Sequence, residues 1–303
     1  MQEYTAEKSA RLKNQVALVT GGGRGIGRAI ARTLAGAGAA VAVLSRSSEE
    51  LAETVCLVQQ EGGYAAAYPA DVTDAQAIQI AIRAIEQSLG PIDVLVNNAG
   101  TPKPLAPFVE TDIGEWWRGM EVNLLGPVIC TRHVLPGMIS RRRGHIINIS
   151  SGAGAMGMTN FSSYVCSKTA LVRFTECLAL ENNSYGIAVF AIAPGTVRTA
   201  MTEFSLTSRE GQKWLPWFKR LFDEGFTVPP ERPATLVLEL ASGRADALSG
   251  RFISVYDDLE QLIANATDLQ QRNLHALKVE RLAEGTPNQS LTAIMAASRK
   301  VND

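Results

Sequence analysis

The sequence predicts a doubly wound α/β fold: one parallel sheet of about seven strands between two layers of helices, in a single domain with a helical C-terminal extension. Two observations carry this. Apolar strand-like runs at 16–20, 40–44, 64–69, 93–97, 145–150, 187–193 and 250–255 alternate with helical patterns at 25–36, 48–60, 74–89, 112–140, 160–183 and 230–241. The runs are also continuous in Val, Ile and Ala, as strands covered on both faces must be. A length of 303 residues, 46% hydrophobic and 19% charged, suffices for one large core.

The first run, Val16 to Thr20, ends in Gly21-Gly22-Gly23-Arg24-Gly25-Ile26-Gly27, after which Arg28 to Leu34 takes up helical spacing. This reads as strand, tight turn, helix. Glycines there let backbone approach a pyrophosphate closely, while the unpaired amides of the first helical turn face the anion. The spacing is G-x-x-x-G-x-G and differs from the G-x-G-x-x-G fingerprint. The second run leads into Ser45-Arg46-Ser47, with no carboxylate where an NAD-binding chain places one to hold the ribose 2′-hydroxyl. Arg46, Arg24 and the Ser45 hydroxyl suit a 2′-phosphate instead, so NADP(H) is expected over NAD(H).

Further along, the helical pattern at 160–183 carries Tyr164 and Lys168, one turn apart on one face. A fixed ammonium beside a phenol is expected to draw its pKa from ~10 toward neutrality. Val165, Leu171, Val172, Phe174, Leu178 and Leu180 spread around more than one stripe of this helix. A helix apolar beyond the ~100° face its own sheet covers wants a second partner, which predicts a homo-oligomer, dimer or tetramer. Residues 196–229, with Trp214, Trp217, Phe218, Phe222 and Phe226, are long for a connection and read as a lid over the site or as a small helical pair packed on the body. Met156, Met158 and Phe161 point to an apolar substrate, whereas Trp116 and Trp117 read as packing.

Together, Thr20-Gly21-x-x-x-Gly25-x-Gly27, Asn97-Asn98-Ala99-Gly100, Asn123, Ser151, Tyr164, Lys168 and Pro194-Gly195 resemble the short-chain dehydrogenase/reductase family, and within it the 3-oxoacyl-carrier-protein reductase and ketoreductase group. The resemblance spans residues 15 to about 256 and keeps the family's intervals, thirteen residues from Ser151 to Tyr164 and four on to Lys168. It implies a Rossmann-type sheet in the order 3-2-1-4-5-6-7 and a small-molecule carbonyl or alcohol substrate. It also implies that Tyr164 donates a proton, Lys168 lowers the phenol's pKa and bonds the nicotinamide ribose, Ser151 holds the carbonyl oxygen, and the Asn123 main chain holds a water linking Lys168 to solvent. By the same resemblance Gly21, Gly23, Gly25, Ile26, Gly27, Asn97, Ala99 and Gly100 belong to the cofactor site, with Asp71 and Val72 at the adenine and Pro194, Gly195, Val197 and Thr199 at the nicotinamide amide. A reversible NADPH-dependent carbonyl reduction is thus expected.

Outside the 15–256 unit, residues 1–14 form a polar extension, and 257–303 depart from the family's usual ending. There Leu259, Leu262, Ile263, Ala266, Leu269, Leu274, Leu277 and Leu282 recur at largely helical spacing. A formal net charge of -1 argues against nucleic-acid binding, and Arg141-Arg142-Arg143 reads as a solvated helix end. With no secretory-type apolar core near the N-terminus and no membrane-length apolar stretch, a cytoplasmic protein is expected. Cys56, Cys130, Cys166 and Cys177 lack paired spacing, the three histidines lie far apart, and no metal site is expected.

Overall fold

The computed structural model describes residues 11–279. In chain order its strands are Val16–Thr20 (β1), Ala40–Ser45 (β2), Tyr64–Pro69 (β3), Ile92–Asn97 (β4), Gly144–Ile149 (β5), Ile187–Ala193 (β6) and Phe252–Ser254 (β7). All pair in parallel, as the apolar runs predict, in the order β3-β2-β1-β4-β5-β6-β7 that the family resemblance implies. The helices are Gly25–Gly36 (α1), Ser48–Gln60 (α2), Ala75–Ser88 (α3), Ile113–Met120 (α4), Gly126–Arg141 (α5), Ser162–Asn182 (α6), Ala200–Thr207 (α7), Arg209–Trp214 (α8), Phe218–Asp223 (α9), Glu231–Ala241 (α10), Leu259–Ala264 (α11) and Ala266–Gln271 (α12).

Strand alternation divides the core in two. Ala17, Val19, Val41 and Val43 face one layer, built from α1, α2 and α10 through Ile30, Leu34, Leu51 and Val237. Val16, Leu18, Ala42 and Leu44 face the other, built from α3, α5 and α6 through Ile78, Ile85, Met138 and Leu178. The inner strands thus need apolar side chains on both faces, which is why their runs are continuous, whereas the edge strand β3 leaves Tyr64, Ala67 and Pro69 exposed. Ser47, Asp74 and Asp112 accept backbone amides at the starts of α2, α3 and α4. Among the described residues no side chain caps α1, whose first amides open toward the ends of the strands.

Three features depart from expectation. The helix expected over 112–140 is broken by a π turn at Glu121–Leu125. Asn123 is buried there, its Oδ1 accepting from Thr101 N at 2.8 Å and its Nδ2 donating to Thr101 O at 2.9 Å. This two-point bond to the chain after β4 fixes the widened turn, and Gly126 then lets the helix lie against Val72. The Arg141–Arg143 run does more than end a helix: Arg141 Nη2 donates to Ile92 O at 2.7 Å and Arg143 pairs with Asp93 at 3.0 Å, pinning the start of β4. On α6, Leu171, Val172 and Leu178 are buried within the chain's own core and Phe174 packs against it, leaving of the six apolar side chains only Leu180, at 54%, exposed. Elsewhere, Phe108, Val109, Ile113 and Trp117 are exposed within ten residues of one another.

Residues 196–229 fold as the three short helices α7, α8 and α9. Leu215 is buried with Leu105 and Phe161, and Phe204 and Phe218 pack on that cluster. Past β7, α11 and α12 return to the body, where Ala266 and Leu269 join the core beside Leu259, Leu262, Ile263 and Leu274. Phe252 N then donates to His275 O at 2.8 Å, so this segment covers the outer edge of β7. Leu282 and the start of the polar N-terminal extension lie outside the described residues.

Candidate active site

Beyond the carboxyl ends of the strands lies a cleft of about 450 Å³. At the end of β1, Gly21 and Gly25 adopt left-handed backbone, with φ of 63° and 55°. A Cβ on Gly27 would come 2.1 Å from Gly21 O, so turn and helix touch backbone to backbone and the uncapped α1 amides border the cleft. Thr20 staples this turn to the next strand end, its Oγ1 accepting from Asn98 N at 3.0 Å and Ala99 N at 3.1 Å. The Asn98 side chain completes the staple by donating to Thr20 O at 2.9 Å.

Most of the residues the sequence singled out line this cleft: Gly21, Gly23, Arg24, Gly25, Ile26 and Gly27 from the glycine turn, Ser45, Arg46, Asp71 and Val72 after β2 and β3, and Ala99 and Gly100 after β4. Ser151, Tyr164, Lys168, Pro194, Gly195, Val197 and Thr199 form the rest of the predicted wall. Two do not. Asn97 is buried beneath the sheet end, donating to Asn148 Oδ1 at 2.8 Å, and Asn148 passes the link to Thr175 of α6, also at 2.8 Å. Strand alternation turns Asn97 into the core and leaves Asn98 to line the cleft. Asn123 acts from behind. A Cβ on Gly100 would lie 3.1 Å from Asn123 Oδ1 and 3.7 Å from Lys168 Nζ, which places Gly100 between the π turn and the lysine.

The reacting end is held by α6, which three further bonds fix to the sheet end and to α4. Ser150 Oγ donates to Lys168 O at 3.0 Å, Lys168 Nζ donates to Ile149 O at 2.8 Å, and Ser163 Oγ donates to Trp116 O at 2.7 Å. Ser150 is therefore occupied structurally, while the adjacent Ser151 hydroxyl accepts from Ala153 N at 3.2 Å and sits beside Tyr164. The Tyr164 ring stacks on Phe161 at 4.4 Å between centroids, 7° from parallel.

One expectation is corrected here. Burial pushes the Tyr164 phenol up from its ordinary value, with the Ser151 hydrogen bond acting the other way, so the phenol is not drawn toward neutrality. Lys168 Nζ lies 5.7 Å from the Tyr164 ring centroid and bonds a carbonyl instead, and burial pulls its own pKa down to about 8. Desolvation is the largest influence on both groups. Sequence reasoning also missed Glu50, which lines the cleft and pairs with Arg24 at 3.0 Å. Its position in the first turn of a helix reads as an ordinary solvated acid, and only the fold brings Arg24 to it.

A cofactor can be tested against this wall. Among the described residues Ser45 Oγ is buried without a hydrogen-bond partner, in the cleft that Arg24 and Arg46 also line. An orphaned hydroxyl beside two guanidiniums fits the 2′ substituent of an adenosine ribose. The fold and cleft define the class of dinucleotide-binding α/β oxidoreductases.

The chain belongs to the short-chain dehydrogenase family, whose profile, short chain dehydrogenase, matches residues 15–210. It is similar to the 2,3-dihydro-2,3-dihydroxybenzoate dehydrogenase of Bacillus subtilis, 36% identical over 77% of this chain and 91% of that one. It is also similar to the 2-(S)-hydroxypropyl-CoM dehydrogenase 3 of Xanthobacter autotrophicus, 34% identical over 82% of this chain and 97% of the relative. Among solved structures, a putative gluconate dehydrogenase from Agrobacterium tumefaciens superposes with a TM-score of 0.73 at 29% identity, covering 82% of this chain and 96% of the other. Family members are oxidoreductases that act on alcohol or carbonyl groups with nicotinamide dinucleotides. No helix among the described residues is long and apolar enough to cross a membrane.

Proposed function

We propose that this protein reduces the carbonyl of a ketone or aldehyde to an alcohol with NADPH, reversibly, with Tyr164 as proton donor. The observation that carries it is the placement of Ser151, Tyr164 and Lys168 on one wall of the cleft that also contains the glycine turn. NADPH supplies the hydride when bound. Tyr164 gives its proton to the substrate oxygen, and Ser151 stabilises the charge developing there. Lys168 keeps an ammonium near the phenolate that remains, and the bonds of α6 to β5 hold all three groups in register. The names of two relatives are those of dehydrogenases. They favour a second reading, alcohol oxidation in the cell, which is the same step reversed. A non-catalytic binder of dinucleotides is the alternative of another class, and consumption of NADPH with any member of a panel of ketones, keto esters, quinones and sugars decides against it.

NADPH is expected to be preferred over NADH, with Arg46 contributing about 1.5–3 kcal/mol through charged hydrogen bonds to the 2′-phosphate. Replacing Ser45 by Asp together with Arg46 by Ala should reverse the preference. Equal kcat/KM for both cofactors in the parent protein sinks this reading.

The reaction should also lose rate with alkali. Lys168 is charged below its pKa of about 8 and neutral above it. Since kcat/KM reports groups of the free enzyme, kcat/KM for reduction should fall as pH rises through about 8. A profile flat from pH 6 to about 10 would remove Lys168 from the mechanism.

The protein is proposed to be cytoplasmic and to assemble as a homodimer or homotetramer. The basis for assembly is the exposed Phe108, Val109, Ile113 and Trp117 rather than α6.

A further inference from the structure

Glu50 stands in the first turn of α2, whose start is fixed by the Ser47 side chain accepting from Glu50 N at 3.2 Å. Its own side chain lines the cleft beside Gly23 and Ser45. A Cβ on Gly23 would meet Glu50 Cβ at 2.9 Å and Ser45 Oγ at 3.2 Å, so the acid, the glycine and the orphaned hydroxyl are mutual neighbours. Glu50 Oε1 accepts from Arg24 Nη1 at 3.0 Å, with the glutamate side chain 34% exposed and the arginine 62%. The other guanidinium of this end, Arg46, is 75% exposed, and its acid partner among the described residues is Asp71 at 3.9 Å. Asp71 is itself held by Arg118 at 3.1 Å and by Thr73. Of the two cations at this end, Arg24 has a carboxylate within hydrogen-bond distance, whereas Arg46 meets Asp71 only at 3.9 Å.

We propose that Glu50 is a specificity-determining residue, an internal counter-ion that competes with a 2′-phosphate for Arg24 and so narrows the discrimination between NADP(H) and NAD(H). The inference rests on the reading of this cleft as a dinucleotide site. A phosphate entering beside Ser45 brings nearly two negative charges to a place holding two guanidiniums and two carboxylates, of which Glu50 lies on Arg24 at 3.0 Å while Asp71 is nearer to Arg118 than to Arg46. It must share Arg24 with Glu50 and meets the repulsion of that carboxylate, whereas a ribose 2′-hydroxyl carries no charge to repel. Arg46 is left as the principal attraction. A chain with cations at both usual places is thus tuned below what those cations alone would give.

The test is Glu50→Gln, which keeps shape and removes charge, read by calorimetric titration of 2′,5′-ADP and of 5′-AMP into the purified protein and by kcat/KM for NADPH and NADH. The pair is half-exposed and such pairs contribute little to stability, so the variant should fold. Binding of 2′,5′-ADP should tighten about tenfold, equivalent to 1.4 kcal/mol. Binding of 5′-AMP should change less than about twofold, and the gain should shrink as salt screens the charges. Glu53→Gln is the control, because Glu53 pairs with Arg28 and does not line the cleft. Unchanged or weaker 2′,5′-ADP binding in Glu50→Gln, or an equal gain in Glu53→Gln, overturns the proposal. A parent protein that prefers NADH overturns the NADPH reading alone, since the Glu50→Gln shift is measured against whatever preference the parent has.

Discussion

Tyr164→Phe should lower kcat by about 10³-fold, within the range that a positioned general acid contributes, while leaving cofactor affinity within a few fold. The reason is local. The phenylalanine ring retains the stack on Phe161 at 4.4 Å, and the bonds that hold α6, from Ser150, Lys168 and Ser163, do not involve the phenol oxygen. Only the proton donor is removed. Because burial raises the Tyr164 pKa, the parent phenol is protonated throughout the neutral range and ready to donate in the reductive direction. Ser151 cannot substitute, since an aliphatic hydroxyl is a far weaker acid than a phenol. Steady-state reduction and fluorescence titration of NADPH on the same preparation check this. Retention of most of the parent kcat would show that another group is the acid.

Much of this is legible in the chain because the inner strands β1, β4, β5 and β6 are buried on both faces, and a strand so placed writes itself as a continuous apolar run. Motifs that follow strand ends converge for the same reason, which is how Tyr164 and Gly21, far apart in sequence, were assigned to one cleft. What stayed hidden depends on direction and on distant partners. Asn97 and Asn98 are indistinguishable as letters, yet the pleat sends one into the core and the other to the cleft. The π turn at Asn123 needs Thr101, 22 residues away, to hold it. Glu50 becomes significant only when Arg24 lies beside it. The apolar spread on α6 gave the oligomer for a reason the fold removes, since the chain's own core covers Leu171, Val172 and Leu178. A hydrophobic pattern states how much of a helix is buried and not by whom.

A chain ending at residue 258 should be less stable by at least about 3 kcal/mol and should change its state of assembly. Leu269, 6% exposed, and Ala266 would leave the core, and a buried leucine alone is worth about 2–5 kcal/mol. Arg251, 7% exposed, would also lose its partners, Asn273 Oδ1 at 2.8 Å, Leu274 O at 3.1 Å and the Gln270 side chain. A buried guanidinium stripped of acceptors costs about 1–3 kcal/mol more. For a domain of this size such losses correspond to a fall in Tm of roughly 10 °C. The assembly should respond because His275 O, which accepts from Phe252 N, would no longer cover the edge of β7. An uncovered parallel edge is a template for pairing with another copy. Light scattering should therefore show the full chain as a dimer or tetramer of fixed size and the shortened one at a higher or uneven mass. Leu269→Ala is the milder variant, expected to cost about 2–4 kcal/mol by thermal unfolding without uncovering the edge. If the shortened chain kept both the parent Tm and the parent mass, the extension would be an appendage, and the covering of β7 would have no part in how copies of this protein meet.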